Sequence, residues 1–543
     1  MENVRLHCLW LCASILTLGS ATVLEGETAD NVVEMAPFTV TESRWGPSWR
    51  YAVIPGYEIL TQANDEDTAL VVGAIFRGRR LTLPPAMRPT YSLPMAILIF
   101  DQRPDSAKAQ KLERIRGEGD RYAHFENIIK RMTSDREVFA INLWGGNLRY
   151  TSAFRLEMRT LLDGVRPATP RWLRSALWGA DGIYDEDVRY RIGDRAVSLF
   201  PAKWPISEDR EKLAALRAIV AAEKKRTTRP QQGMPSPVSG LIAPLGAILE
   251  NDRAYSLREE ATLALWARWA LFSENGRWFH AFWNFAQESA CTPANEAMFR
   301  RYFSMSYEEV ESELCWFLPL AIAQRAIYAV DPPVVPRYEL RAADAAQIAR
   351  VRGEWELAEA RALQAAEPAL GDRYRKAAER TLRRGYERDP ADSVLVSTLA
   401  LYEYEFGDPA NALQLATGLD ATKRRSALNR AFVRATLNRA KSEAERPPLS
   451  ERDIAAVFAA LREARLQQPA VLETYELALA TWEAAGLRPS REDLAICFEA
   501  QRLFPRASSF LKQAAELHAR WGYSREAEQL QNLAARFDPT PLR

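Results

Sequence analysis

Histidine is scarce in this chain: only His7, His124, His280 and His518 occur in 543 residues. No two lie close enough in sequence to share a helix face, so the helix-borne zinc motifs that need two imidazoles one turn apart are absent. A site gathered from the last three would join distant parts of the chain; isolated histidines at the surface or core edge are the simpler reading. Cysteine is scarce too. Cys8 and Cys12 fall in an N-terminal leader, which leaves Cys291, Cys315 and Cys497. Three thiols cannot all pair within one chain, which excludes a disulfide framework. Either a Cys291–Cys315 bridge or buried free thiols fit. An excess of charge of one sign is also missing, with 72 basic against 71 acidic residues. The chain therefore has no global field to draw it to nucleic acid or an anionic membrane. Neither Gly145-Gly146 nor Phe76-Arg77-Gly78-Arg79-Arg80 fits a phosphate-binding loop, and no G-x-S-x-G surrounds Ser175.

No apolar run reaches the roughly 20 residues that span a bilayer. The one in the leader, Leu9 to Leu18, follows Arg5 and precedes Gly19-Ser20-Ala21, the pattern of a cleavable signal peptide over 1–21. Export to the periplasm or the extracellular space is expected, with no transmembrane segment after cleavage. With 47% apolar and 26% charged residues, the remainder has a globular composition, and its length calls for two or three domains.

Residues 22–48 read as an extended arm. Tyr57–Leu60, Pro94–Asp101 and Phe139–Leu143 have strand length and composition, and Asp65–Arg77 reads as a helix with an acidic start. Val188–Leu199 suggests a hairpin turning at Gly193-Asp194, and residues 226–240 are an exposed Pro- and Ser-rich connection. Glu259–Phe272 and Trp278–Glu288 carry eight aromatic residues, Trp266, Trp269 and Trp283 among them. Such density suits the core of a helical lobe better than a ligand box. Ser306, followed by acids, marks the cap of the lobe's last helix.

The stretch Pro170-Arg171-Trp172-Leu173 resembles the start of the second active-site helix in peptidase MA-like (gluzincin) metallopeptidases. The order of elements over 49–328 is similar to that family's domain. The resemblance implies that Arg155 and Arg159 stand where the family has its zinc-binding histidines, Leu156 where it has the general-base Glu, and Ser175 where it has the third ligand. Guanidiniums do not deprotonate in proteins and cannot replace imidazoles around a dication. The resemblance thus implies an inactive domain with no metal or other cofactor. Arg155 and Arg159 share a helix face by spacing, placed to grip an anion or to neutralise acids such as Glu157 and Asp181–Asp187.

Asp331-Pro332-Pro333-Val334-Val335-Pro336 cannot continue a helix, so 329–344 reads as a linker across which few contacts are expected. From 345 to 540 the composition turns to Ala, Arg, Glu and Leu with helical periodicity. Pro505 and Pro539 lie 34 residues apart, the tetratricopeptide period, and Leu511, Ala514, Ala515, Ala527 and Ala534 fall on that repeat's small packing positions. His518 and Gln531 occupy aromatic positions, so the repeats are degenerate. Four to five helical hairpins are expected, with a plain helical bundle as the alternative. The expected fold is an α+β gluzincin-like domain with a helical lobe, then an all-α solenoid.

The function expected from these features is non-catalytic binding of a protein or peptide, or scaffolding. First helices of such arrays line a concave face, which puts Glu476, Lys512 and Glu516 forward as binding residues. The alternative is a hydrolase of peptide or glycan with a relocated, non-zinc site; Glu157 and Asp181–Asp187 supply carboxylates for it, though spacing alone brings no two together.

Overall fold

Pro55-Gly56 turns the first strand, β1 (Arg50–Ile54), back on β2 (Tyr57–Thr61), with Ile54 paired to Tyr57. Gly56 has φ 83°, a left-handed value open to glycine and costly for residues with a Cβ. The computed structural model describes residues 49–80, 94–100, 128–143, 170–176, 196–199, 239–251, 254–273, 276–323, 326–329, 336–442, 449–486 and 488–537, with positions 214 and 218. Helix α1 (Asp65–Arg80) follows β2, and β3 (Met95–Phe100) lies parallel to both β2 and β5 (Glu137–Asn142). β4 (Ile128–Met132) pairs antiparallel with β5, and β8 (Arg341–Ala342) borders β1. The strand order β4-β5-β3-β2-β1-β8 makes a mixed six-stranded sheet.

Both faces of this sheet are covered, which is why β3 is an unbroken apolar run and does not alternate. Ile59, Ile97, Ile99, Phe139 and Ile141 pack on Val71 and Val72 of α1. On the opposite face Tyr51, Leu60, Ala96, Leu98 and Val138 meet Val351 of α7 (Ala345–Leu363). The expectation of few contacts across 329–344 is not met. The helical run starts at Ala345, as its composition suggested, but its first helix is also the second layer of the sheet.

The lobe comprises α2 (Leu245–Leu249), α3 (Leu257–Phe272), α4 (Phe279–Ser289), α5 (Glu296–Phe303) and α6 (Tyr307–Ala323). Its aromatics form a core, as their spacing suggested. Trp266 stands 5.0 Å from Phe282 and 5.2 Å from Trp172 between ring centroids, and Phe299 stacks on Phe303 at 4.5 Å. Ser306 and Glu309 cap α6 reciprocally, each backbone N–H donating to the other's side chain, at 2.6 and 3.1 Å. β6 (Ala196–Leu199) pairs antiparallel with β7 (Ala326–Ala329), which follows the lobe in sequence. The remainder of the hairpin expected over 188–199 lies outside the described residues. Cys291 is exposed and Cys315 buried, and no disulfide joins them.

Among the described residues ten α-helices follow and pack in consecutive pairs: α7 with α8 (Pro368–Arg388), α9 (Ser393–Phe406) with α10 (Pro409–Thr417), and α11 (Ser426–Ser442) with α12 (Glu451–Arg465). The last two pairs are α13 (Leu472–Ala485) with α14 (Arg491–Leu503), and α15 (Ser508–Arg520) with α16 (Ser524–Arg536). The first helices α7, α9, α11, α13 and α15 lie side by side in that order. Leu511, Ala514, Ala515, Ala527 and Ala534 are all buried between helices. A mixed sheet-and-helix region is therefore followed by a long run of helices, and the chain is mostly helical. Among the described residues no helix is long and apolar enough to cross a membrane.

Candidate functional site

The turn between β4 and β5 reaches into the row of first helices. Thr133 closes it: its N–H donates to the Arg136 carbonyl at 2.8 Å, and its hydroxyl accepts from the Arg136 N–H at 3.0 Å. Ser134 and Asp135 are thereby held at the tip. The Asp135 carboxylate accepts from Arg425 Nε and Nη2 at 3.1 and 2.8 Å, and from the Ala427 backbone N–H at 3.1 Å. Ala427 is in the first turn of α11, where N–H groups lack partners within the helix. Arg425, just before the helix, has no side-chain acceptor to serve as a cap, so a carboxylate from the sheet supplies it. Burial alone would raise the Asp135 pKa; Arg425, the Ala427 N–H and Arg430 outweigh it and hold the carboxyl well below the usual range.

From Asp135 a ladder of buried charges runs along the sheet. Arg425 Nη1 lies 2.8 Å from Glu354, whose other oxygen lies 3.2 Å from Arg136 Nε. Arg136 also pairs with Glu58, Glu58 with Arg350, and Arg350 with Asp392 at 2.6 Å. The Tyr51 hydroxyl donates to Glu58 at 2.7 Å and accepts from Arg350 Nη2 at 2.7 Å. Burial raises the Tyr51 pKa and Glu58 adds to it. For Glu58 the burial effect is outweighed by Arg136 and Arg350, which lower the pKa. Signs alternate at every step, so each desolvated charge has an opposite neighbour. That is the condition under which burial of ions is tolerated.

Beside this latch is a cavity of about 460 Å³ between the β4–β5 turn and helices α7, α9, α11 and α13. Its charged lining includes Arg131, Arg361, Arg425, Arg430 and Arg434 against Asp135, Glu405 and Glu473. Arg361 pairs with Glu405 at 2.5 Å, and Arg434, 55% exposed, with Glu473. Arg430 is 1% exposed and donates to neutral oxygens, Gln467 Oε1 at 2.8 Å and Ser134 Oγ at 2.6 Å. Burial lowers its pKa, and Asp135 and Glu473 offset this only in part. Tyr404 lines the same space. Its hydroxyl has no hydrogen-bond partner among the described residues, and burial pushes it up to about 12 against the pull of Arg424 and Arg439.

Of the residues put forward from sequence, Arg155, Leu156 and Arg159 lie outside the described residues. Ser175 is half-buried in a helical segment over 171–176 whose Trp172, Leu173 and Ala176 belong to the lobe core. Glu476 is exposed on α13, one turn from the cavity-lining Glu473. Burial raises its pKa, and Glu473 adds to the rise. Lys512 and Glu516 are on α15. His518 is buried, with Nδ1 2.7 Å from the Ala514 carbonyl. Among the described residues no group of three or more His, Cys, Asp or Glu side chains is placed to hold a metal ion. No family model, curated protein or solved structure matches the chain.

Sequence reasoning passed over both the latch and the cavity. One signal was available, since Thr133-Ser134-Asp135-Arg136 is a turn sequence between two runs of strand length. It reveals a hairpin, but nothing in it names helices that begin more than 200 residues later.

Proposed function

We propose that this chain is an exported, non-catalytic binding or scaffold protein for a protein or peptide partner. In this reading 49–328 is an inactive peptidase MA-like domain and 345–540 a tetratricopeptide-like array that presents the partner site. One observation carries it: the row of first helices already takes up a polypeptide turn, Ser134-Asp135, by side-chain hydrogen bonds and a helix N-terminus. A surface that receives a turn from within the chain has the chemistry to receive one from outside. The same row continues past the turn through α13 and α15, where Glu476, Lys512 and Glu516 stand. Helical arrays bind along such rows, through side chains and with no need of catalytic geometry.

Site-specific photo-crosslinking in the producing cell tests the reading. Crosslinkers at positions 476, 512 and 516 should capture a common protein partner, and one at exposed Arg525 on the second helix α16 should not. Capture from position 525 alone, or from none of the four, would refute it.

A further inference from the structure

The cavity beside the latch has a ligand chemistry of its own, and the inference drawn from it rests on the reading of the chain as a binding protein. We propose that this cavity takes a carboxylate-bearing ligand, met first by Arg434 and then by Arg430 behind it. Among the guanidiniums of the lining, Arg131 is paired with Glu359, Arg425 with Asp135 and Glu354, and Arg361 with Glu405, which leaves Arg430 and Arg434 to share the one carboxylate of Glu473. Arg430 makes the excess local. Its side chain is 1% exposed, two of its nitrogens donate to neutral groups, and its Nε has no hydrogen-bond partner and stands 3.5 Å from Glu473. A buried guanidinium in that state is stabilised by a further anion.

The neighbouring fork shows which anion the walls suit. Arg425 holds a carboxylate, that of Asp135, through two nitrogens with a backbone N–H beside them. Planar two-nitrogen contact is the geometry a guanidinium offers a carboxylate. Phosphate would bring up to two charges against Glu405 and Glu473 in the same lining; a carboxylate brings one. Arg434 is exposed enough to exchange Glu473 for an incoming carboxylate without disturbing the core. Ala358, Leu401, Ala431 and the ring of Tyr404 supply an apolar wall for the body of the ligand. The volume falls within the range of small-ligand sites, about 300–1,000 Å³. A free organic acid and an acidic side chain of a peptide share this chemistry.

Calorimetric titration of the full chain, at ionic strength held constant with chloride, uses succinate in one arm and a glutamate-rich nonapeptide in another. Saturable binding of one equivalent is expected in at least one arm: succinate assigns the site to a free acid, and the peptide alone to a segment of a protein. Arg434→Ala should weaken that binding about tenfold or more. Glu473→Gln frees Arg434 of its competitor and should tighten it, a gain that a misfolded variant cannot give. No saturable binding in either arm, affinity unchanged by Arg434→Ala, or equal binding of inorganic phosphate would overturn the proposal. Crosslinking of a partner at 476, 512 and 516 together with any of those results would leave the binding-protein reading standing and remove this site from it.

Discussion

Asp135 joins the β4–β5 turn to the start of α11, and its environment makes a residue-scale prediction. Asp135→Asn keeps the side chain's shape but removes the charge that Arg425 and the start of α11 both use. Breaking one member of a buried pair costs about 3–5 kcal/mol, a large share of the ~5–15 kcal/mol that folded domains have. Urea denaturation should register the loss directly. Acid should act on the same group. Its folded pKa lies below the unfolded value of about 3.9, so its contribution is full above that value and is lost as pH falls towards the folded pKa. Urea midpoints of the parent chain should fall below about pH 5, and less steeply in Asp135→Asn. Equal acid slopes would show that Asp135 does not hold the latch.

At the scale of elements, the first helix pair is set by two glycines. A Cβ on Gly385 of α8 would sit 2.3 Å from the Cβ of Ala349 on α7, and one on Gly353 would sit 2.6 Å from Leu382. In an open helix Gly→Ala gains about 1 kcal/mol. Here Gly385→Ala should destabilise by about 1–3 kcal/mol, because the helices have to part. Ala349→Gly, combined with Gly385→Ala, should recover most of that loss in a double-mutant cycle by urea denaturation. Additive losses would place the effect somewhere other than this contact. Helix α7 also shows how far an element can be read locally. Its start at Ala345 follows from Asp344 and Gln347, which form a capping box, and from the periodicity beyond. Its acids Glu354, Glu356 and Glu359 are each only 2% exposed. Two of them are turned inward by Arg131, Arg136 and Arg425, which come from other parts of the chain, and burial raises the pKa of Glu356.

At the scale of the whole molecule, α7 belongs to two layers, so the segment 329–344 is not a joint between independent bodies. Cutting there leaves Leu60, Leu98 and Val138 dependent on Val351 from the other piece. Proteolysis between 330 and 336 should therefore yield fragments that co-elute in native size exclusion and separate only in denaturant. Fragments that separate under native conditions would show that the sheet's second layer is dispensable.

Hydrophobic period is a local property, set by neighbours three or four residues away on a helix and two on a strand. For that reason the sequence by itself determined the buried strand β3, the aromatic core of the lobe, the mostly helical C-terminal half and the alanine contacts within its pairs. β4 escaped notice because Lys130 and Arg131 interrupt its five residues, and β1 because its apolar run is only four residues long. The partner of a buried charge is another matter. Asp135 meets Arg425 across 290 residues of chain, and nothing near either residue specifies the other. Only the tertiary structure decided that the sheet's turn caps an array helix, and that a cavity lined by arginines opens beside it.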